Sequence, residues 1–177
     1  MKTIIQKQLF NKNECDYFKS LPDDKSFKRS TVADNNKLGT ISENRTSTES
    51  LIQLDIDLSN TILEKLNEFG IKSLPNYFII LKYNKNQEFK KHADCGVSYP
   101  NRYKTLIIQL SDETEYDGGE LCIFHTSETI VASKKIGNTI MFDSSISHCA
   151  NKIKDGIRYS MVFWLSFNNL GLKQPLI

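Results

Sequence analysis

The 177-residue sequence contains no apolar run approaching the ~20 residues that a membrane-spanning helix needs. Its first ten residues, Met1 to Phe10, include Lys2 and Lys7 but no apolar core of a secretory signal. These two absences predict a cytoplasmic protein with no membrane partner. The four cysteines (Cys15, Cys95, Cys122 and Cys149) form no CxxC pair and no short-range metal spacing, so nothing suggests a disulfide framework. A surplus of one charge sign is also missing. Twenty-three basic residues face 21 acidic ones, which leaves no electrostatic case for nucleic acid or an anionic surface as the main partner. Repeats and low-complexity segments do not occur. What remains is 39% hydrophobic and 25% charged, as in one soluble globular domain spanning 1–177.

The local patterns predict helices first and strands after. Asn11 or Asn13 is placed to cap a short helix carrying Cys15, Tyr17 and Phe18. Asp34 to Ser50, rich in Asp, Asn, Ser and Gly, reads as a long mobile loop and a candidate cover for a functional site. A clearer helix follows, with Ser59 as the expected cap, an apolar stripe of Ile62, Leu63, Leu66 and Phe69, and Gly70 as the stop. Residues 1–75 therefore read as a helical and loop part. From there to about 167, short β segments alternate with turn signals, which argues for a sandwich or barrel. The candidates are Tyr77–Tyr83, Glu88–His92, Lys104–Leu110, Glu120–Phe124, Thr129–Ala132, Thr139–Phe142 and Arg158–Leu165. The expected class is α+β.

Only three histidines are present, and two have the right company. His92 and Asp94 form an H-x-D pair, and residues two apart on a strand project from the same face. His148 follows 56 residues later, at the end of another β segment. Two imidazoles and one carboxylate on one side of a metal leave three octahedral positions free, the arrangement of non-haem Fe(II) oxygenases. Arg158 opens an otherwise apolar strand ten residues beyond His148, and Ser160, Val162 and Trp164 share its face. A buried arginine is costly without an anion. Its planar fork suits the distal carboxylate of 2-oxoglutarate, with the Ser160 hydroxyl as a second donor. An internal salt bridge is the alternative. His125 reads as a surface residue. Cys95 and Cys149 adjoin two of the proposed ligands but face the other way; a zinc site using them is a further alternative.

These landmarks resemble the prolyl 4-hydroxylase-like branch of the Fe(II)- and 2-oxoglutarate-dependent dioxygenases, over nearly the whole chain. Arg29-Ser30-Thr31-Val32 and Arg45-Thr46-Ser47 look like the flanks of that family's substrate loop. Leu81–Asn84 and Gln87–Asp94 look like its Tyr-to-HxD strand pair, Arg102–Thr105 and Gly118–Leu121 like the hairpin that follows, and Gly137–Phe142, His148, Gly156, Arg158 and Trp164 like its closing strands. The resemblance implies a double-stranded β-helix (a jelly-roll or cupin-like core) with the N-terminal helices packed on one sheet. It places the iron ligands at His92, Asp94 and His148. Tyr83, Arg158 and Ser160 fall at the 2-oxoglutarate site, and so does Gln109, where prolyl hydroxylases usually carry Tyr. Arg102 and Trp164 fall beside the substrate. Phe89 replaces a tyrosine often found three residues before the first ligand.

The implied reaction consumes dioxygen and 2-oxoglutarate, releases succinate and carbon dioxide, and takes Fe(II) as cofactor, with ascorbate as a possible reductant. The implied substrate is peptidyl proline in a protein or peptide, as in procollagen-proline 4-hydroxylases. Phe89 and Gln109 keep open a free amino acid or another protein side chain. A binding module without turnover is the third reading, opposed by the complete His92, Asp94, His148 and Arg158 set.

Overall fold

A computed structural model describes residues 4–34 and 37–167. The chain begins with β1 (Ile4–Gln8) and α1 (Lys12–Ser20), followed by β2 (Lys28–Arg29), β3 (Val32–Asp34), β4 (Lys37–Thr40), β5 (Thr48–Gln53) and α2 (Ile56–Leu66). Then come β6 (Tyr77–Tyr83), β7 (Phe89–His92), β8 (Arg102–Gln109), β9 (Tyr116–Gly118), β10 (Leu121–His125) and β11 (Glu128–Val131). The last four strands are β12 (Asn138–Asp143), β13 (His148–Ala150), β14 (Ile153–Gly156) and β15 (Arg158–Ser166).

Two antiparallel sheets face each other: a seven-stranded one in the order β1-β12-β8-β15-β6-β5-β2, and a four-stranded one in the order β11-β10-β13-β7. This is the expected double-stranded β-helix. The middle strands of the larger sheet are apolar on both faces because both faces are covered. Phe78, Ile80, Leu106, Ile108, Met161 and Phe163 pack against Phe18 of α1 and Ile62 and Leu66 of α2. Their alternates Ile79, Leu81, Ile107 and Val162 point into the space between the sheets, towards Ile123 and Ile146. The helices thus seal one side of the large sheet, and the other side is free to build a site. No helix among the described residues is long and apolar enough to cross a membrane.

Three expectations are corrected. The cap of α2 is Asp55, whose side chain accepts from the Leu58 amide at 2.8 Å, and Ser59 lies inside the helix. An aspartate at a helix N-terminus satisfies a free amide and meets the positive end of the helix dipole, which is why it displaces a serine four residues on. Secondly, residues 1–75 are not helix and loop alone, since β1, β5 and β2 complete the edges of the large sheet. Lastly, Asp34 to Ser50 is not one long loop. β4 pairs with β3, Ser42 bridges Arg45, Arg45 bridges Phe89, and β5 begins at Thr48. At the other helix, Asn11 caps α1 in a reciprocal box with Glu14.

Gly137 ties the N-terminal strand to the rest. Its carbonyl accepts from the Leu9 and Phe10 amides, its φ is +75°, and a Cβ there would lie 1.7 Å from the Phe10 carbonyl oxygen. Left-handed strain plus that backbone clash should make Gly137→Ala destabilising by about 2 kcal/mol or more. A melting temperature lower by roughly 4–8 °C is the expected reading for a chain of this size.

Candidate active site

The neighbouring strands β7 and β13 of the small sheet place His92 directly opposite His148, with ring centroids 4.2 Å apart. Asp94 follows just after β7. Its amide and that of Cys95 both donate to the Ser144 carbonyl at 2.9 Å, which turns the chain back over the pair. The Asp94 carboxylate lies 3.6 Å from His92 Nε2 through Oδ1 and 3.4 Å from His148 Nε2 through Oδ2. One potential ligand atom from each residue falls within a 4.8 Å spread.

The backs of the imidazoles decide which nitrogens face inward. His92 Nδ1 meets the Lys90 carbonyl at 2.7 Å and His148 Nδ1 meets the Ile146 carbonyl at 3.1 Å. A carbonyl only accepts, so each Nδ1 carries a hydrogen and Nε2 is the ring nitrogen turned towards the centre. This second layer is typical of metal-binding histidines. Burial lowers the His148 pKa, outweighing the opposite pull of Asp94, so the ring stays neutral. Burial alone would raise the Asp94 pKa, but His148, His92 and the Thr105 hydroxyl together hold it well below the usual carboxylate range. Thr105 Oγ1 donates to Asp94 Oδ2 at 2.7 Å. With each Nδ1 satisfied by a carbonyl, the two Nε2 atoms and the ionised Asp94 carboxylate are left as the inward donors, so the set fits a divalent metal.

These shifts have a sign for the metal-free protein. Below the ordinary histidine value of 6.5 the unfolded chain takes up a proton that buried His148 refuses, so stability falls as pH drops through that value. Asp94 adds a further loss below its ordinary 3.8. Thermal melts of metal-free protein should show the first decline between about pH 7 and 5, and His148→Gln should flatten it.

Behind the triad lies a smaller pocket reaching Tyr83, Arg158 and Ser160. β15 runs between β6 and β8, so Arg158 stands opposite Tyr83, and Ser160 lies between Leu81 and Gln109. Arg158 is only 4% exposed, and no acidic group pairs with it among the described residues. The internal salt bridge considered above does not form. Arg158 Nε instead donates to Gln109 Oε1 at 3.1 Å, while Gln109 Nε2 donates to the Tyr116 hydroxyl and the Ser111 carbonyl. Gln109 thereby holds the guanidinium from behind, with Tyr116 close by, and no described acid neutralises it. Gly119 makes room for it, because a Cβ there would lie 3.2 Å from Arg158 Cδ.

In front of the triad a cleft of about 440 Å³ is walled by β5, β7 and the segment before β8. Trp164 and Arg102 both line it. The Arg102 guanidinium carbon lies 3.7 Å from the Tyr99 ring centroid and 4.1 Å from that of Trp164.

Some site residues escaped the sequence reading. Phe89 stacks on His92 with centroids 3.4 Å apart and planes 14° apart. Arg45, only 6% exposed, covers the Phe89 ring, pairs with Glu49 at 2.7 Å and donates to the Thr31 carbonyl. The substitution of Phe at position 89 thus has a packing role. Thr105 gave no signal by residue type. Cys149 points away from His148 and contacts Asn151, outside the cluster.

The sequence profile of the 2OG-Fe(II) oxygenase superfamily matches residues 78–166, half of the chain. A PKHD-type hydroxylase of Pseudoalteromonas atlantica is 31% identical over 129 residues, which cover 63% of this chain and 55% of that protein. The chain therefore spans about half the length of the curated relatives it matches. Two solved structures share the fold. A Pseudomonas putida prolyl-4-hydroxylase superposes with a TM-score of 0.69 at 15% identity, over 94% of each chain. The viral collagen prolyl hydroxylase from Paramecium bursaria Chlorella virus-1 gives 0.65 at 19%, over 91% of this chain and 94% of that one. With the matched profile running from β6 through the whole of β15, and so through every residue of the His–Asp–His cluster and the buried arginine, the chain belongs to the 2OG-Fe(II) oxygenase superfamily.

Proposed function

We propose that this chain is an Fe(II)- and 2-oxoglutarate-dependent hydroxylase of peptidyl proline. The observation that carries the reading is the pairing of two inward Nε2 atoms and the Asp94 carboxylate with a buried, acid-free Arg158 at the far end of the same pocket. His92, Asp94 and His148 would hold the iron. When bound, iron and 2-oxoglutarate supply the oxidation, in which the cosubstrate becomes succinate and carbon dioxide and one oxygen atom of O2 enters a C–H bond.

The protein's own groups do the rest. Thr105 keeps Asp94 ionised and turned towards the two rings. Arg158 receives the far carboxylate, with Ser160 and the Tyr83 hydroxyl beside it, while Gln109 holds the arginine's orientation. Burial raises the Tyr83 pKa, so its phenol remains protonated and able to donate. Phe89 and Trp164 keep water from the triad's flank, and Trp164 and Arg102 line the substrate side. Proline is favoured because two of the solved neighbours are prolyl hydroxylases and because the cleft is walled by the flat rings of Tyr77, Tyr99 and Trp164. Phe89 and Gln109 favour the second reading, a free amino acid or another side chain.

The test is incubation with iron, 2-oxoglutarate, ascorbate and proline-containing peptides. Release of succinate together with a mass gain of about 16 Da on proline is the expected result. Gain on another residue moves the reading to the alternative. Succinate release without substrate would exclude a binding module.

A further inference from the structure

Beside the cleft in front of the triad lies a second groove of about 540 Å³, lined by Asn76, Pro100 and Ser166 among others. The two cavities share Tyr77, Tyr99, Arg102 and Trp164 in their linings, so Arg102 borders both. That arginine differs from the other arginines around the site. Arg45 is neutralised by Glu49 and Arg29 by Glu43. Arg158 is held by Gln109 at the bottom of the inner pocket. Arg102 is half-buried, and among the described residues its guanidinium has neither an ion-pair partner nor a protein hydrogen-bond acceptor.

Its surroundings fix how it can be satisfied. Tyr99 covers one part of the guanidinium and Trp164 another, both within cation–π distance. The rings approach the guanidinium carbon and accept no conventional hydrogen bond from it, so its N–H groups remain as donors to a ligand. Two parallel N–H groups match the two oxygens of a carboxylate. Burial also pulls the Arg102 pKa down, the mark of a cation partly removed from water without full compensation.

Resting on the reading of this site as a hydroxylase of peptides, we propose that the substrate carries a carboxylate near the hydroxylated residue, received by the Arg102 guanidinium beside Tyr99 and Trp164. Peptide acidic side chains, a peptide C-terminus and the α-carboxylate of a free amino acid share this chemistry. The groove beyond the clamp favours the first, since a single amino acid would leave it empty.

The test measures binding to Fe(II)-loaded protein with 2-oxoglutarate under nitrogen, where no turnover occurs. The probes are acetylated and amidated proline peptides with Glu scanned through three positions on either side, their Gln counterparts, the Gln peptide with a free C-terminus, and free proline and glutamate. A Glu peptide should bind at least tenfold tighter than its Gln counterpart, and Arg102→Gln, verified as folded by its melt, should abolish the difference. Arg102→Lys should recover only part of it, because an ammonium lacks the planar fork. Preference for the free C-terminus or the free amino acid, lost in Arg102→Gln, keeps the carboxylate site and assigns its other source. Equal binding of all charged and uncharged probes, including no binding by any, overturns the inference. A Glu preference without a mass gain on proline would retire the prolyl reading and keep this one; equal hydroxylation of Glu and Gln peptides would do the reverse.

Discussion

Replacing His148 with Ala should reduce 2-oxoglutarate turnover to background while leaving the fold intact. His148 opens β13 and, among the described residues, its side chain hydrogen-bonds only the Ile146 carbonyl, so its removal costs the sheet little beyond a small cavity. Its loss to the metal is large. Perturbing only the outer partners of such ligands typically costs 10–100-fold in metal affinity, and removing the ligand itself should cost at least that. The Asp94 carboxylate would also lose its inward neighbour on Oδ2 and keep only Thr105 there. Succinate release reports the activity, and calorimetric titration with Mn(II) reports the metal site separately. Full turnover in a folded His148→Ala protein would remove this residue from the metal site and with it the basis of the functional reading. His92→Ala and Asp94→Ala should behave alike.

Arg158→Ala should raise the 2-oxoglutarate KM at least hundredfold while leaving metal binding nearly unchanged. The guanidinium is buried and, among the described residues, has no acidic partner, so the cosubstrate carboxylate would be its charge partner. Removing one member of a buried charge pair costs roughly 3–5 kcal/mol, which is more than two decades in an affinity. Gln109 would lose the donor that occupies its Oε1, a smaller penalty of about 1 kcal/mol. Arg158→Lys tests geometry, since an ammonium keeps the charge and loses the fork. A change below threefold in Arg158→Ala would place the far carboxylate elsewhere.

What the sequence disclosed depended on how each residue's role is encoded. The strands of the large sheet read clearly from Tyr77 onward because both their faces are covered, which makes most of their residues apolar. The H-x-D pair and Arg158 read clearly because their side chains do chemistry no apolar residue can do. The N-terminal strands did not read, because edge strands such as β1 and β2 are held by backbone ladders and their side chains stay polar. Asp34 to Ser50 looked like a loop for the same reason, since β3 and β4 are short and pair mainly with each other. Thr105 and Gln109 act at second hand, on Asp94 and Arg158, through contacts between β8 and its neighbours that only the fold creates. Phe89 looked like the loss of a donor, and its stacking on His92 is a gain that residue type alone cannot show.

The position of β15 has a bearing on how the chain is made. It is the last of the strands described here, yet it sits at the centre of the large sheet, between β8 and β6. During synthesis β6 and β8 emerge well before the strand that joins them, and until residues 158–166 arrive each presents an unpaired apolar edge. Late, distant pairings of this kind slow folding and leave intermediates prone to associate. The strand that closes the sheet is also the one that delivers Arg158, so a nascent or truncated chain lacking it has neither a finished core nor a place for the cosubstrate's far carboxylate. Competence to bind and completion of the fold would then arrive in one step, and a folded but cosubstrate-blind intermediate should not accumulate.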